Sequence, residues 1–522
     1  MPDAVVIGSG PNGLVAANVL ADAGWDVLVL EAAPEPGGAV RSGPLTRPGF
    51  VHDLFSAFYP LAVASPAMRR LELERHGLRW RRAPLAVAHP FGDGEGVVLS
   101  QDIDETAESL DRDHPGDGAA WRGMQRTWQA IGDDVVDALL GPFPPVRATA
   151  TLAAKLRRDL PAFARFAMLP VRRLAAEHFG GRGAAMLLAG NAQHADLSPD
   201  SPLSGMFGWL LCCLGQQHGY PVPEGGAGQL TAALVRRLEH AGGSVRCNAE
   251  VDRVVVRGGR AVGVHTVTGD DIDASRAVLA DVGAPALYLR LVGPEHLPSR
   301  VVRDLTRFHY DDATVKVDWA LDGAIPWKVE HAARAGTLHL ADGIDHLAQV
   351  ATDLAGGRVP ERPFLVLGQM NVADPSRSPG GTATAWAYTH VPQGSTSALD
   401  VVARAEALIE DAAPGFGELV LDRHVFTPDA FEAADANLVG GAINGGTAQL
   451  HQQLVFRPTP GLGRPSTPIA GLFLASASAH PGGGVHGACG ANAAVAALHA
   501  HRRRRVVYAA RTVWAGDRRT EW

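Results

Sequence analysis

Three glycines near the start of the chain have a spacing that suits contact with phosphate groups. Gly8, Gly10 and Gly13 lie in the segment Gly8-Ser9-Gly10-Pro11-Asn12-Gly13. In this pattern the first glycine permits a tight turn, the second lets the backbone approach a pyrophosphate, and the third allows close helix–strand packing. Glu31 follows 18 residues after Gly13, where a carboxylate can accept hydrogen bonds from ribose hydroxyls.

The elements around these residues are those that a dinucleotide-binding unit requires. Residues 3–7 form a short apolar run typical of a buried strand, and a predicted helix ends at Gly24. A second predicted strand, residues 26–30, leads directly to Glu31. A helix that begins at the glycines would offer its unpaired N–H groups to the phosphate charge. The glycine motif alone would be weak, but the strand, helix, second strand and terminal acid together predict a dinucleotide site.

A double glycine and an arginine follow the acid, at Gly37, Gly38 and Arg41. The segment resembles the double-glycine extension of flavoproteins in the amine oxidase and phytoene desaturase superfamily. That resemblance implies that the segment passes the pyrophosphate and the flavin of FAD, with Arg41 near them. The residues taken alone also fit an ordinary Pro-Gly turn.

A second block of the chain resembles another FAD-binding segment of the same superfamily. It begins at 220–230, where a glycine-rich stretch leads into a helix with leucines on one face. A strand at 244–247 follows, and then a β-hairpin is predicted with Gly258-Gly259 as its two-residue turn. The resemblance implies that the backbone of Val251 contacts the adenine ring.

A third motif follows a predicted buried strand at 467–475. We expect Gly482-Gly483-Gly484 to open an alanine-rich helix. A glycine-lined helix N-terminus attracts negative charge. In a flavoprotein of this kind it would face the N1–C2=O side of the isoalloxazine and stabilise the anionic reduced flavin.

Together these motifs resemble the phytoene desaturase-like family, and most of all its pyridine nucleotide-disulfide oxidoreductase domain-containing protein 2 branch. The resemblance implies an α/β fold in which a Rossmann-type FAD-binding domain is interleaved with an α+β substrate domain. The expected FAD-binding domain comprises 1–60, 222–300 and 451–505, the substrate domain comprises 61–221 and 301–450, and a basic tail covers 506–522.

The resemblance also implies which residues hold FAD. These residues are Gly8, Gly10, Pro11, Asn12, Gly13, Glu31, Ala32, Gly37, Gly38, Arg41, Val251, Ser476, Gly484 and Val485. We expect FAD to be held non-covalently, because Cys489 is predicted to lie in the core and not to be a covalent flavin attachment. The sequence departs from the family at Ser476 and Ser478, where glycine is frequent, and at Ala491, where arginine is frequent. Such changes would alter the contacts of the flavin.

Candidate catalytic side chains are Lys316, His480 and His486. Lys316 lies in a predicted strand at 313–321 that looks similar to the amine oxidase strand whose lysine holds a water against flavin N5. It could equally line the solvent face of that strand. The two histidines flank the last glycine run and suit proton transfer near neutral pH, although histidines bonded to loop carbonyls are more common.

Composition and charge exclude several other classes of protein. The 522 residues include 47 basic and 55 acidic side chains, and the resulting charge of −8 argues against a nucleic-acid binder. The four cysteines form no CxxC pair and the 21 histidines form no ligand array, so free thiols and no metal are expected. We see no basic leader before the glycine motif and no apolar run of about 18 residues, and therefore expect a cytoplasmic protein.

Basic residues are concentrated between 147 and 182, where eight of them interleave with apolar side chains. Such a segment in an acidic protein can rest on anionic lipid, which predicts peripheral membrane contact. The more common explanation is a solvated helical face. The arginine run at 502–505 admits the same two interpretations.

The sequence therefore predicts a FAD-dependent oxidoreductase that dehydrogenates a hydrophobic small molecule, such as a carotenoid or another isoprenoid. Hydride would pass from a substrate carbon to flavin N5. Because only one dinucleotide motif is present and a redox CxxC is missing, oxygen or a quinone is the expected electron acceptor. Two alternatives stay open, namely a flavin amine oxidase and a non-catalytic isoprenoid or lipid carrier of similar fold.

Overall fold

The computed structural model describes the backbone of residues 1–516 and the side chains of residues 1–504. Its strands are β1 (Ala4–Ile7), β2 (Val27–Leu30), β3 (Ser42–Gly43), β4 (His52–Asp53), β5 (Trp80–Arg81), β6 (Leu85–Pro90), β7 (Gly96–Ser100), β8 (Val222–Pro223), β9 (Ser244–Arg246), β10 (Val251–Arg257), β11 (Arg260–Thr266), β12 (Asp271–Asp273), β13 (Ala277–Ala280), β14 (Ala313–Leu321), β15 (Ala335–Leu340), β16 (Leu365–Gln369), β17 (Ala383–Val391), β18 (Val420–Phe426) and β19 (Leu472–Leu474).

Its α-helices are α1 (Pro11–Asp22), α2 (Pro60–Ala64), α3 (Pro66–Arg69), α4 (Ile103–Asp113), α5 (Asp117–Leu140), α6 (Val146–Leu156), α7 (Leu160–Met168), α8 (Val171–His178), α9 (Arg182–Ala192), α10 (Ser204–His218), α11 (Gly228–His240), α12 (Ser299–Leu305), α13 (Ile344–Ala355), α14 (Met370–Ala373), α15 (Ala398–Ala412), α16 (Phe416–Leu419), α17 (Pro428–Ala434) and α18 (Ala488–Gly516). The predicted basic tail begins within α18, and its residues 517–522 lie outside the described residues.

A five-stranded parallel sheet contains the predicted dinucleotide unit, in the order β19-β13-β1-β2-β9. All four side chains of β1 are buried, as expected for a parallel strand covered on both faces. Ala4 and Val6 pack in a core with α1, α11 and α18. Val5 and Ile7 face the opposite side and pack against the antiparallel sheet β10-β11-β12. The glycine motif directly follows β1 and so lies at the carboxyl ends of the parallel strands, where ligands of such sheets bind.

The predicted hairpin is confirmed. β10 and β11 pair antiparallel, and the two residues between them are Gly258 and Gly259. Their φ angles are +57° and +72°, the left-handed conformation that both central residues of a type I′ turn adopt.

The second large sheet has seven strands in the order β18-β14-β17-β16-β15-β6-β7, and β15 and β6 are its only parallel pair. Its outer face is apolar, with Val315, Val317 and Trp319 in a core shared with α15. On the inner face Thr314, Lys316 and Asp318 of β14 lie opposite His390, Tyr388 and Trp386 of β17. Both faces of β14 are buried, so the inner face is not a solvent surface.

Helices α4, α5, α8, α9 and α10 cover the inner face of the large sheet. They share a core with Val87, Val366 and Trp386 from the strands. Cys212 and Cys213 are buried in α10 as predicted. All four cysteines of the chain are free thiols.

The chain alternates between the two sheets, which confirms the predicted interleaved α/β fold. The parallel sheet takes its strands from 4–30, 244–280 and 472–474, and the large sheet from 85–100 and 313–426. The domain boundaries given above stay predictions. Within the described part of the chain, no helix combines the length and the apolar character needed to cross a membrane.

Candidate functional site

The glycine loop after β1 has the geometry that its sequence predicts. Gly8 has a φ of +90°, and its N–H donates to Leu30 O at 2.8 Å. A Cβ added at Gly13 would lie 2.2 Å from Gly8 O, so only glycine lets α1 begin this close to the strand. The side-chain Oδ1 of Asn12 is buried without a hydrogen-bond partner among the described residues. The loop is therefore a tight cradle with an unsatisfied polar atom beside it.

Asp281, which the sequence analysis did not identify, lies in this cradle. Its Oδ2 accepts a hydrogen bond from the Gly13 N–H at 2.7 Å, and a Cβ at Gly10 would lie 2.6 Å from the same oxygen. Burial raises the pKa of Asp281 to about 7, and the charges of Asp435 and Glu31 add to this. The residue comes directly after β13 at the carboxyl end of the sheet, and that position is the signal by which it could have been found.

Glu31 directly follows β2 and lies beside the same loop. Its Oε2 accepts hydrogen bonds from the N–H and the hydroxyl of Ser9, at 2.8 and 2.6 Å, and its Oε1 accepts from Ala33 N at 2.9 Å. The carboxylate is thereby fixed at the edge of the cradle, where the sequence predicts a ribose contact. Ala32, the next predicted cofactor residue, is exposed.

The double glycine packs directly on the loop. Gly37 N–H donates to Ser9 O at 3.1 Å, and a Cβ at Gly38 would lie 3.1 Å from the Cα of Gly10. Arg41 donates to Gly38 O at 2.8 Å and to Ala434 O at 2.7 Å. The structure thus brings these three predicted residues to the glycine loop, and they are more than an isolated turn.

Val251 begins β10 on the far side of Glu31. The backbone N–H of Ala249 donates to Glu31 O at 2.8 Å, and the N–H of Asn248 donates to Ala33 O at 3.1 Å. Val251 itself is 8 % exposed. It lies two residues after Ala249, whose hydrogen bond joins this strand to the Glu31 segment, and its adenine contact stays a prediction.

The closing motif reaches the same place from the other end of the chain. Ser476 follows β19, next to the hydrogen bond from Ala475 N to Ala280 O at 2.8 Å. Gly484, with a φ of +107°, is exposed, and Val485 is partly buried. One expectation is wrong, because α18 begins at Ala488 and not at the glycines. The three glycines form a separate turn that precedes the helix, which we call the glycine turn (Gly482–Gly484).

The two candidate histidines occupy different surroundings. His486 Nδ1 accepts a hydrogen bond from Ala488 N at 3.0 Å and so caps α18, and burial lowers the pKa of His486 to about 4. His480 packs against Phe143 with ring centroids 5.1 Å apart, and burial likewise lowers the pKa of His480 to about 4. Both rings are therefore neutral at pH 7. Their catalytic roles stay predictions.

Lys316 is buried on the inner face of the large sheet, and the alternative of a solvent-facing lysine is wrong. It is 2 % exposed. Its Nζ donates to Asp318 Oδ2 at 2.5 Å and to Asp53 O at 2.9 Å. The ammonium thus connects β14 with β4, and its catalytic role stays a prediction.

Arg457 is a second residue that the sequence did not reveal. Its guanidinium is fully buried and donates to backbone carbonyls only, including Ala477 O at 2.6 Å and Thr447 O at 2.9 Å. A Cβ at Gly482 would lie 3.2 Å from its Cζ. Burial lowers the pKa of Arg457 to about 10, so it keeps its positive charge at neutral pH beside the glycine turn.

A series of contacts joins the glycine turn to the inner face of the large sheet. Aromatic contacts connect Phe58 with Trp386 at 5.9 Å, Trp386 with Tyr388 at 6.0 Å, and Tyr388 with His390 at 5.5 Å between ring centroids. The chain of contacts continues through Asp196 and Asn444 to Gly483.

Leu61 lies on the other side of the glycine turn, since a Cβ at Gly484 would lie 3.1 Å from Leu61 Cδ1. Leu61 follows Phe58 by three residues and packs against the same apolar core. Several members stay partly exposed although their neighbours are core residues, namely Phe58, Leu61, Asp196, Tyr388, Asn444 and Gly484. We call this arrangement the contact ring. Its members come from five separate chain segments, so no sequence motif predicts it.

These features are suited to holding a redox dinucleotide. The glycines provide space where any Cβ would collide, Glu31 provides a carboxylate at the edge of the glycine loop, and Arg457 provides positive charge beside the glycine turn. The residues present therefore fit FAD. Among the described residues, no group of three His, Cys, Asp or Glu side chains could hold a metal ion.

Comparisons with known proteins agree with this geometry. The chain is 28 % identical over 542 residues to pyridine nucleotide-disulfide oxidoreductase domain-containing protein 2 of Rattus norvegicus, covering 94 % of this chain and 92 % of that protein. It is 28 % identical over 526 residues to a phytoene desaturase (neurosporene-forming) of Cereibacter sphaeroides, covering 95 % and 94 %. The resemblance inferred from the motifs is thus confirmed.

Solved structures show the same fold. An oxidoreductase from Methanosarcina mazei superimposes with a TM-score of 0.63 at 17 % identity, covering 95 % of this chain and 99 % of that chain. A putrescine oxidase variant gives a TM-score of 0.61 at 18 % identity, covering 96 % and 99 %.

The family described as flavin containing amine oxidoreductase matches residues 12–498, which include the end of the glycine loop, the double glycine and the glycine turn. The match extends over the whole large sheet and over every strand of the parallel sheet except β1. This chain is a FAD-dependent oxidoreductase that belongs to the flavin containing amine oxidoreductase family.

Proposed function

We propose that this protein dehydrogenates a hydrophobic, isoprenoid- or carotenoid-like substrate with non-covalently bound FAD. The observation that carries the proposal is the contact ring, because it places an aromatic surface of the large sheet beside the glycine turn. Similarity to a phytoene desaturase over 95 % of the chain supports the same substrate class.

The cofactor would be held by the residues that converge at the parallel sheet. The glycine loop and Arg41 lie where the pyrophosphate would bind, Glu31 where the ribose would bind, and the backbone near Val251 where the adenine would bind. When bound, the flavin accepts a hydride from a substrate carbon. Ser476, Gly484 and Val485 would adjoin the flavin end.

Non-covalent binding is supported by the protonation state of Cys489, the thiol beside the glycine turn. Cys489 is fully buried in α18, and its Sγ lies 3.5 Å from Gly482 O. Burial raises the pKa of Cys489 to about 12, so the thiol stays protonated and is a poor nucleophile.

The protein's own side chains would orient the substrate and exclude water. Trp386 and Tyr388 stack with their rings only 16° from parallel, and Phe58 packs against Trp386. A flat, apolar substrate would bury area against these rings, at about 25 cal/mol per Å². Arg457 would balance negative charge that develops beside the glycine turn. We expect oxygen or a quinone to reoxidise the cofactor.

An absorption spectrum of the purified protein, followed by anaerobic titration with isoprenoid hydrocarbons, alcohols and amines, tests the proposal. We expect flavin bands that are released from the protein on denaturation, and bleaching of these bands by an isoprenoid. Bleaching by small polar amines alone would favour amine oxidation. A colourless protein that takes up no added FAD would favour a carrier and contradict the proposal.

A further inference from the structure

Two carboxylates meet on the side of the contact ring nearest the glycine turn. Asn444 Nδ2 donates to Asp196 Oδ2 at 2.9 Å and to Asp311 Oδ2 at 3.2 Å. His390 Nε2 lies 2.7 Å from Asp196 Oδ1. We call Asp196, Asp311, His390 and Asn444 the polar cluster. A Cβ at Gly483 would lie 2.9 Å from the Cβ of Asn444, so the cluster touches the glycine turn directly.

Part of this cluster is unsatisfied. Asp311 is 4 % exposed, and its Oδ2 accepts from the N–H groups of Ile443 and Asn444 at 3.0 Å each. Its Oδ1 has no hydrogen-bond partner among the described residues, and neither has the buried Thr314 Oγ1. Thr314 lies opposite His390 in the register of β14 and β17, so its hydroxyl is on the same face as the imidazole. His390 Nδ1 is also buried without a partner. Because buried polar atoms are nearly always paired and a carboxylate oxygen accepts, Asp311 Oδ1 indicates a missing donor.

The charges of the cluster favour a donor over an anion. Burial alone would lower the pKa of His390, but the charge of Asp196 outweighs it and raises that pKa to about 9. Burial, together with Asp196, raises the pKa of Asp311 to about 6. At neutral pH the imidazolium of His390 therefore faces the acids Asp196 and Asp311, and the half-buried acid Asp312, whose pKa burial also raises, lies close to them.

The surroundings define the rest of the ligand. His390 is the third residue of an alternating series on β17 whose other members are Trp386 and Tyr388. The polar cluster thus ends an aromatic surface. A molecule that lies on this surface would carry an apolar body and a polar group at one end.

We propose that the polar cluster is a substrate subsite that binds an O–H or N–H group, with Asp311 Oδ1 as the acceptor and Thr314 Oγ1, on the same face of the sheet as His390, as a second polar contact. This inference rests on the proposed function, because it requires that the substrate occupies the contact ring. The preferred substrates are then isoprenoid alcohols or amines. A pure hydrocarbon would leave Asp311 Oδ1 unpaired and would bind more weakly.

Binding of three matched ligands to the FAD-loaded protein under anaerobic conditions tests the subsite. The ligands are geraniol, geranylamine and the hydrocarbon of the same carbon skeleton, and binding is followed by tryptophan fluorescence and by the flavin absorption band. We expect the alcohol or the amine to bind at least about tenfold more tightly than the hydrocarbon, as for a hydrogen bond to a buried charge. Comparison of the alcohol with the amine identifies the donor.

The variant Asp311→Asn separates recognition from folding. Its amide keeps one oxygen for the N–H groups of Ile443 and Asn444 but places an NH₂ group where a second acceptor was. We expect the preference for the donor ligands to disappear while the affinity for the hydrocarbon is unchanged. Asp322→Asn, which changes an exposed acid just after β14, should keep the preference.

Equal affinity of the wild-type protein for all three ligands would overturn the subsite, and so would an unchanged preference in Asp311→Asn. If Asp311→Asn does not fold, the isosteric Thr314→Val must reduce the preference instead, and its failure to do so also overturns the proposal. A protein whose flavin is bleached by the hydrocarbon but that shows no donor preference has the proposed function without the subsite. A protein without flavin contradicts the proposed function first.

Discussion

Asp281 lies against the glycine loop, beside the expected pyrophosphate site. Its Oδ2 already accepts the hydrogen bond of the Gly13 N–H. Glu31 and Asp435 place further negative charge near it, and the buried Cys489 thiol faces it from α18. A bound pyrophosphate would therefore approach a carboxyl group that is neutral below a pH of about 7 and anionic above it.

We predict that the affinity for FAD falls as the pH rises through 7. The pKa of Asp281 is raised to about 7, so the side chain changes from a neutral acid to an anion in this pH range. We expect the neutral acid to permit binding of FAD and the anion to repel its pyrophosphate. If only the neutral form binds, the Kd rises by about tenfold per pH unit above the pKa. Asp281→Asn keeps an acceptor for Gly13 N–H but cannot ionise, so its Kd should not change between pH 6 and 8.

Fluorescence titration of the unloaded protein with FAD across this pH range measures the effect. Asp273→Asn, which neutralises an exposed acid on β12, serves as the control and should titrate like the wild-type protein. The same pH dependence in Asp281→Asn as in the wild-type protein would show that another group controls binding.

At the scale of elements, α1 and α18 lie in contact at their N-terminal ends. A Cβ at Gly490 would lie only 1.8 Å from Asn12 O, so the helices can approach this closely only because residue 490 is glycine. The contact brings the glycine loop and the glycine turn, 470 residues apart, into one site.

We predict that Gly490→Ala abolishes or strongly weakens FAD binding. The added methyl forces the two helices apart, and overpacking of this kind also costs about 1–3 kcal/mol of unfolding free energy. Gly123→Ala in α5, where an added Cβ would have ordinary room, is the matched control. Flavin content after purification and urea unfolding measure both effects. Normal flavin content in Gly490→Ala would contradict the interpretation.

Helices α6 and α7 have no buried residue, which distinguishes them from the neighbouring helices. Gly463 lies against both Phe143 and the segment 454–456, so this segment adjoins the loop before α6. Exposed apolar side chains in this region are Val146, Leu160, Met168, Leu454, Val455 and Phe456. Arg147 on α6 and Arg157 and Arg158 in the turn between α6 and α7 are exposed as well. We propose that this surface rests on anionic membranes, because it combines apolar and basic groups in an acidic protein.

We predict that the protein sediments with phosphatidylserine vesicles at low salt and is released at high salt, because the Debye length shortens. Replacing Arg147, Arg157 and Arg158 with glutamine should prevent sedimentation. Replacing the exposed Arg253 and Arg257 of β10 should not. Absence of sedimentation at low salt would leave a solvated helical face as the explanation.

At the scale of the whole molecule, buried ion pairs fasten the large sheet to the N-terminal segment. Lys316 connects Asp318 on β14 with the backbone of Asp53 on β4. Arg377, fully buried, pairs with Asp53 at 3.1 Å and with Asp374 at 2.9 Å. These pairs hold together the parts of the chain that carry the aromatic surface and the double glycine.

We predict that Lys316→Met destabilises the protein by about 3–5 kcal/mol, since it leaves Asp318 charged, buried and without its ammonium partner. The double variant with Asp318→Asn should recover part of this loss. Lys328→Met, at an exposed lysine, should have little effect. Urea unfolding measures stability, and flavin reoxidation in the folded double variant tests the catalytic role predicted for Lys316. Full stability of Lys316→Met would contradict a structural role.

Local spacing was sufficient to predict the glycine loop, Glu31, the double glycine and the β10–β11 turn. At the glycines a positive φ or a close backbone approach admits almost no other residue, and Glu31 was identified by its position just after β2. The interleaved fold followed from the order of such motifs along the chain. Lys316 was identified by its strand, but the side of the strand that it faces could not be predicted because both sides are buried.

Asp281, Arg457, the contact ring and the polar cluster became visible only in three dimensions. Each consists of single residues from distant segments, without a local pattern, whose chemistry depends on burial and on neighbours supplied by other elements. Asp196 and Asp311 are ordinary acids in the sequence, and their meeting at Asn444 beside Gly483 makes them a candidate subsite. Short-range geometry is encoded locally and determined the glycine motifs, whereas the packing of the two sheets decided which side chains lie opposite the glycine turn.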